Sequence, residues 1–219
     1  GETFWHEKNG VQCVDKIELL EDNLENKQNL NLTYAVRDGI ISHCGEIDEN
    51  ALKPRDEYID LNEYTSPNQY APYTWEGCIV KIADKISYIG RDIQDAITLG
   101  ILDEHLGELY DLLGYDSNEV INNTIIINNL IYDLCQNSSK EEGLKFSDKA
   151  FKTLNEIKLF NYKKIYLSER MNPSIKYFKL VINEIYDILK QTYAGNKTTK
   201  KMNDMKKYYP KLIKGFEEW

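Results

Sequence analysis

Apolar residues recur at helical spacing along most of the chain. Val11, Val14, Ile17, Leu19 and Leu20 predict a first helix over about 6–22, and Leu32, Val36, Ile40 and Ile41 a second over about 31–43, ended by Gly45. Residues 45–74 break the pattern, with Pro54, Pro67 and Pro72 among polar and aromatic positions, and read as a long loop of the kind that often carries function. Thr74 is the expected N-cap of a long helix that runs to about Ile97, before Gly100. Further helices are expected at about 103–113, 117–136, 146–159, 161–169, 173–193 and 198–216. No alternating strand stands out, Ile125-Ile126-Ile127 being the one ambiguous run, and no repeat of fixed period emerges. The pattern predicts an all-α fold.

In the long helix, Ile79, Ile82, Ala83, Ile86, Ile89, Ile93 and Ile97 fall on one arc at 100° per residue. Asp84, Tyr88, Arg91, Asp92 and Asp95 gather on the other. Asp84 and Tyr88 are one turn apart, and Arg91 and Asp92 lie one further turn on. Periodicity alone fits a solvated face opposite a buried stripe as well as it fits a site.

Composition narrows the choices. A chain of 219 residues can bury a substantial core without metal or disulfide staples. Its formal net charge of −9 opposes a general nucleic-acid or membrane coat, since both surfaces are anionic. The lysine-rich segment from Lys197 to Lys214, interleaved with Tyr208 and Tyr209 and followed by Phe216, reads as a solvated amphipathic face; nucleic acid is not an expected partner. Cys13, Cys44, Cys78 and Cys135 show neither CxxC spacing nor a secreted-scaffold density, which fits reduced thiols in a cytoplasm. No run approaches the roughly 18 apolar residues of a membrane span, and no signal segment opens the chain. The expectation is a soluble, cytoplasmic protein. Gly1-Glu2-Thr3 leads straight into patterned sequence, as the middle of a longer protein would.

Four stretches carry a family resemblance. "EGCIVKIADKISYIGRDIQDAI", with Asp84-Lys85-x-x-Tyr88-x-x-Arg91-Asp92 inside it, is similar to the helix bearing the last metal-binding aspartate of HD-superfamily deoxynucleoside triphosphate triphosphohydrolases, in their bacterial dGTPase-like branch. "FWHEKNGVQCVDKI" resembles the segment of an active-site histidine, here His6, and "LTYAVRDGIISHCGE" the helix that follows it. "IKLFNYKKIY" resembles a phosphate- and nucleoside-contacting segment, with Lys158 and Tyr166 at the matching positions. Order and spacing agree over about residues 3 to 170. The family's upstream histidine and His-Asp pair, which complete its metal site, are not in this chain: His6, His43 and His105 are its only histidines, and none precedes an aspartate.

The resemblance implies an N-terminally truncated HD-domain-like helical fold. Residues 1–136 would form the C-terminal part of the phosphohydrolase core, and 137–219 a helical extension completing the nucleotide site. It implies hydrolysis of a dNTP to deoxynucleoside and inorganic triphosphate, with this chain alone inactive, and a homo-oligomeric enzyme. Asp84 would ligate a divalent metal (Mg, Mn, Fe or Co), a hard cation suited to carboxylate oxygen. Lys85 and Lys158, with Arg91 if it is not paired to Asp84 or Asp95, would meet the about four negative charges of a triphosphate. Asp92 would accept from the 3′-hydroxyl while Tyr88 packs beneath C2′, and Tyr166 would border the nucleoside. His6, beside Glu7, would carry a proton near the leaving 5′-oxygen. His43 matches a family position without an assigned role. Asp84, Tyr88 and Asp92 are expected to face one pocket with His6 across it. An HD phosphohydrolase on another nucleotide, or a non-catalytic nucleotide-binding or oligomerisation module, are the alternatives.

Overall fold

The computed structural model describes residues 4–44, 50–116, 118–193 and 195–218. The expected helix stop at Gly45 lies outside these residues, and the helix expected from about 117 begins only at Asn123, where the Asn122 side chain caps it by accepting from Thr124 N at 2.8 Å. The all-α expectation holds, with one small exception near the N-terminus. Helix α1 (His6–Gln12) continues as a π-helical turn, Cys13–Ile17, and then gives way to an antiparallel hairpin, β1 (Leu19–Glu21) with β2 (Lys27–Asn29), in register Leu19↔Asn29 and Glu21↔Lys27. The predicted helix over 6–22 is therefore wrong beyond residue 17. Asp22 is the cause: its Oδ1 accepts from the backbone N–H of Leu24 at 2.8 Å and of Asn26 at 2.9 Å, a local turn that competes with helix.

Helix α2 (Tyr34–Ser42) and helix α3 (Trp75–Thr98) flank residues 50–74, which are largely irregular. Thr74 caps α3 as expected, its Oγ1 accepting from Gly77 N at 3.1 Å. Next come α4 (Leu106–Leu113), α5 (Asn123–Asn137) and α6 (Asp148–Asn161), the last running into a π-helical turn, Tyr162–Tyr166. Residues 125–127 are helical. The described residues divide into two compact units, Gly1–Tyr166 and Leu167–Trp219. The second unit contains α7 (Asn172–Thr192), α8 (Thr198–Lys206) and α9 (Pro210–Glu218). The single helix expected at 198–216 is thus two, because Pro210 cannot continue a helix but suits the first turn of a new one.

The main core of the first unit packs Ile82, Ile86, Ile89 and Ile93 of α3 against Ile126 and Leu130 of α5 and Leu154, Ile157 and Phe160 of α6. A second cluster holds Val11, Ile41, Ile59, Leu61 and Tyr64. The loop ahead of α3 is fastened by a buried ionic network. Asp38, 1% exposed, accepts from Arg55 Nη2 at 2.5 Å and from Tyr73 N at 2.7 Å, while Arg55 also donates to Tyr34 Oη and to the Ala71 carbonyl, each at 2.6 Å. Asn50 exchanges two hydrogen bonds with the Phe146 backbone, and Leu52 bridges to Leu144, so this proline-bearing loop is well anchored.

Candidate functional site

Helix α3 carries most of the residues singled out by sequence, and it is continuous through all of them. Its buried side is not quite the isoleucine arc. Ile82, Ile86, Ile89 and Ile93 are inside, but Ile79 is 54% exposed and Ala83 is exposed, while Lys81 and Lys85 are buried. Lys81 Nζ reaches the C-terminal end of α2, donating to the carbonyls of Ser42 at 3.2 Å and Cys44 at 2.5 Å. A cation at a helix C-terminus complements the unsatisfied carbonyls there. Burial, with a contribution from Lys85, nevertheless pulls the Lys81 ammonium down to about 8.

Two groups of side chains form around the polar face of α3. In the first, Tyr88 of α3, Lys158, Leu159, Asn161 and Tyr162 of the α6 region, and Tyr166 line a cleft of about 310 Å³. Tyr166 donates its hydroxyl hydrogen bond to Asp92 Oδ2. Burial first, and then that bond and the carboxylate charge, hold the phenol above its ordinary range. Asn161, 1% exposed, donates to the Ile89 carbonyl at 3.1 Å, but its Oδ1 has no hydrogen-bond partner among the described residues. That oxygen is itself buried, lying beneath the cleft surface. Asn161 was not singled out in the sequence; only its neighbours in "IKLFNYKKIY" were.

In the second group, His6 of α1 meets the end of α2. His6 Nε2 lies 3.1 Å from Cys44 Sγ, and His43 Nε2 lies 3.3 Å from the same sulfur. The two imidazoles stand edge to face with centroids 5.5 Å apart. His6 Nδ1 is 3.1 Å from Glu7 Oε2, on a carboxylate that is almost wholly buried. Burial, Glu7 and then Asp84 push the Cys44 thiol up to about 11, so the half-buried Asp84 is within electrostatic reach of the sulfur that touches His6. Lys85 acts on the same thiol in the opposite direction.

The predicted residues are therefore brought together unevenly. Tyr88, Lys158 and Tyr166 share the cleft, with Asp92 tied to it through Tyr166. Asp84, one turn before Tyr88, lies toward His6. Arg91 is exposed and pairs with Asp95 at 3.1 Å, the alternative its spacing allowed. A larger apolar groove of about 620 Å³ between α2 and α3, lined by Val36, Gly39, Ile40, Gly77 and Val80 with His43 at its edge, holds none of the predicted site residues. Among the described residues no helix is long and apolar enough to cross a membrane.

No family model matches the chain. Among curated proteins it is similar to the deoxyguanosinetriphosphate triphosphohydrolase-like protein of Desulfatibacillum aliphaticivorans, 28% identical over 189 residues, covering 84% of this chain and 47% of that protein. It is likewise similar to the protein of that name from Clostridium perfringens (strain SM101 / Type A), 26% identical over 187 residues with 84% and 47% covered. A third, from Rickettsia rickettsii (strain Iowa), is 29% identical over 221 residues, with 91% and 54% covered. The chain spans about half the length of the curated relatives it matches. The resemblance to the dGTPase-like branch read from the four stretches is borne out by these relatives.

Proposed function

We propose that this chain is the C-terminal part of a metal-dependent dNTP triphosphohydrolase and supplies one wall of its nucleotide site. The observation that carries the reading is the cleft in which Tyr88, Lys158 and Tyr166 converge, beside the helix that also bears Asp84 and Asp92. The names of the relatives support a triphosphohydrolase of this class.

Asp84 suits a hard divalent ion: it is a half-buried carboxylate, a hard anionic donor on a rigid helix. Such an ion, completed by ligands from upstream of this chain, supplies Lewis-acid polarisation of the α-phosphoryl oxygen and activation of water. Lys158 brings positive charge to the polyphosphate. Asp92, already an acceptor for Tyr166, takes the 3′-hydroxyl, and the Tyr88 ring packs beneath C2′ where a ribonucleotide would place its extra hydroxyl. His6, with Nδ1 on Glu7, keeps Nε2 as the atom that holds or gives a proton at the departing 5′-oxygen. Lys85, one residue on from Asp84 and buried at 6% exposure, adds its positive charge for the polyphosphate.

The test is a longer protein that includes the upstream His and His-Asp pair. It should release inorganic triphosphate and a deoxynucleoside from a dNTP. Pyrophosphate as the product, or no turnover with any dNTP by the folded, metal-supplied protein, overturns the reading. The 219-residue chain alone should be inactive, since one carboxylate is too few ligands for a tight catalytic ion.

A further inference from the structure

With both imidazoles neutral, the contacts around Cys44 do not balance as hydrogen bonds. His43 Nδ1 lies 2.7 Å from the Ile40 carbonyl, which can only accept, so Nδ1 carries the ring proton and Nε2 a lone pair. His6 Nδ1 faces the Glu7 carboxylate at 3.1 Å, with the same consequence. Both Nε2 atoms then point at one sulfur, and a thiol has one proton to share between them. At least one lone pair is left facing another, a repulsion that a cation at their centre would turn into attraction.

We propose that His6, His43 and Cys44 together bind one soft divalent cation of the Zn²⁺ class through Nε2, Nε2 and Sγ, with a fourth position open to solvent. The three atoms lie within 4.8 Å of one another, and the two nitrogen–sulfur separations are 3.1 and 3.3 Å. With Zn–S near 2.3 Å and Zn–N near 2.0–2.1 Å, a tetrahedral N–S edge is about 3.6 Å, so each nitrogen–sulfur separation opens by a few tenths of an ångström while the two nitrogens, within 4.8 Å of one another, close on the ion. Binding replaces the thiol proton: the S–H bond breaks, an S–metal bond forms, and one H⁺ passes to solvent.

The surroundings fit the same role. Histidines that ligate metal donate their other N–H to a carboxylate or a backbone carbonyl, and here Glu7 and Ile40 supply one of each. Two of the three ligands are consecutive residues at the end of α2, where Lys81 holds the Ser42 and Cys44 carbonyls. The third comes from the first turn of α1. This nitrogen–sulfur set differs from the oxygen ligand Asp84: it selects Zn²⁺-like ions over Mg²⁺. If the proposed function is right, an ion here occupies the His6 nitrogen needed for proton transfer, so Zn²⁺ inhibits the longer enzyme; the site itself does not depend on that reading.

The test uses the 219-residue chain with metal alone, with no nucleotide. Equilibrium dialysis should give one Zn²⁺ per chain, and Co²⁺ should develop a thiolate-to-cobalt charge-transfer band. Cys44→Ser should abolish the band, and Cys44→Ser and His43→Gln should each weaken Zn²⁺ uptake at least tenfold, with helical circular dichroism retained. His6→Ala, at an exposed side chain, should weaken uptake comparably without unfolding, and Cys135→Ser should change nothing. Absence of stoichiometric Zn²⁺ uptake by the folded chain, or uptake that survives Cys44→Ser and His6→Ala, overturns the proposal. So does a cobalt band that follows Cys135.

Discussion

Arg55→Met should be among the most damaging single changes in the first unit. Arg55 and Asp38 are an ion pair at 2.5 Å with side chains 10% and 1% exposed. Removing the guanidinium strands a buried carboxylate, a loss worth about 3–5 kcal/mol. It also deprives Tyr34 Oη and the Ala71 carbonyl of their donors, at about 1 kcal/mol each, though these overlap with the first figure and do not simply add. Urea unfolding should therefore show a deficit of about 3–5 kcal/mol. For a unit of this size that lowers the melting temperature by about 6–20 °C. In a double-mutant cycle, Asp38→Asn combined with Arg55→Met should cost at least about 2 kcal/mol less than the sum of the singles. A deficit below about 1 kcal/mol, or strict additivity, would refute the claim that this pair fastens the loop.

Lys81→Met tests the buried ammonium. Folded Lys81 releases its proton at about 8 and an unfolded lysine at 10.5, so between these values the unfolded state holds more protons and wild-type stability rises with pH. The wild-type curve should climb by about 3 kcal/mol relative to Lys81→Met across that window, and parallel curves would sink the assignment. Gly90→Ala should destabilise by about 1–3 kcal/mol, because its Cβ would come 2.4 Å from Asn123 Oδ1 and 3.2 Å from Asn123 Cα at the α3–α5 contact; a higher melting temperature, usual for glycine replacement on an open helix, would contradict that packing. In the longer enzyme, Tyr88→Ala should relax discrimination against ribonucleotides, while Asp92→Ala lowers kcat/KM on deoxy substrates by roughly ten- to a hundredfold. Unchanged values for both would make this face of α3 a wet surface.

What could be read in advance was what depends on local chemistry. Thr74, the isoleucine spacing and the run to Thr98 are legible because an N-cap and a 3.6-residue period are properties of the segment itself. The errors arise where a competing local bond or a change of neighbour decides. Asp22 wins the backbone from the helix that Val11, Val14 and Ile17 begin, and leaves Leu19 and Leu20 exposed. Along α3 the first half packs on α2 and the second on α5 and α6. The buried stripe therefore turns partway, admitting Lys81 and Lys85 and exposing Ile79. No single periodicity describes a helix with two partners. His43 and Asn161 were missed for a different reason. Each acquires meaning only from what the fold brings beside it, although the adjacent His-Cys pair at the end of α2 was a visible sign of ligand chemistry.

The burial of Lys81 and Lys85 on consecutive turns of α3 needs an account, since two ammonium groups in one low-dielectric region repel, and Lys85 indeed contributes to the depression of Lys81. Their neighbours offer a compensation: the carbonyls ending α2, the buried Glu7 carboxylate and the Asp84 charge that reaches Cys44. The α1–α2–α3 junction is thus a small lattice of alternating charge holding His6, His43 and Cys44 at its edge. Neutralising Lys81 should disturb that edge more than it disturbs the isoleucine core, because Lys81 ties α3 to α2 whereas Ile89 and Ile93 tie it to α5 and α6. Stability and site geometry then reside on different halves of one helix. Substitutions at Lys81 should loosen the His6–His43–Cys44 cluster while leaving the Tyr88–Tyr166 cleft in place, and substitutions at Gly90 should do the reverse.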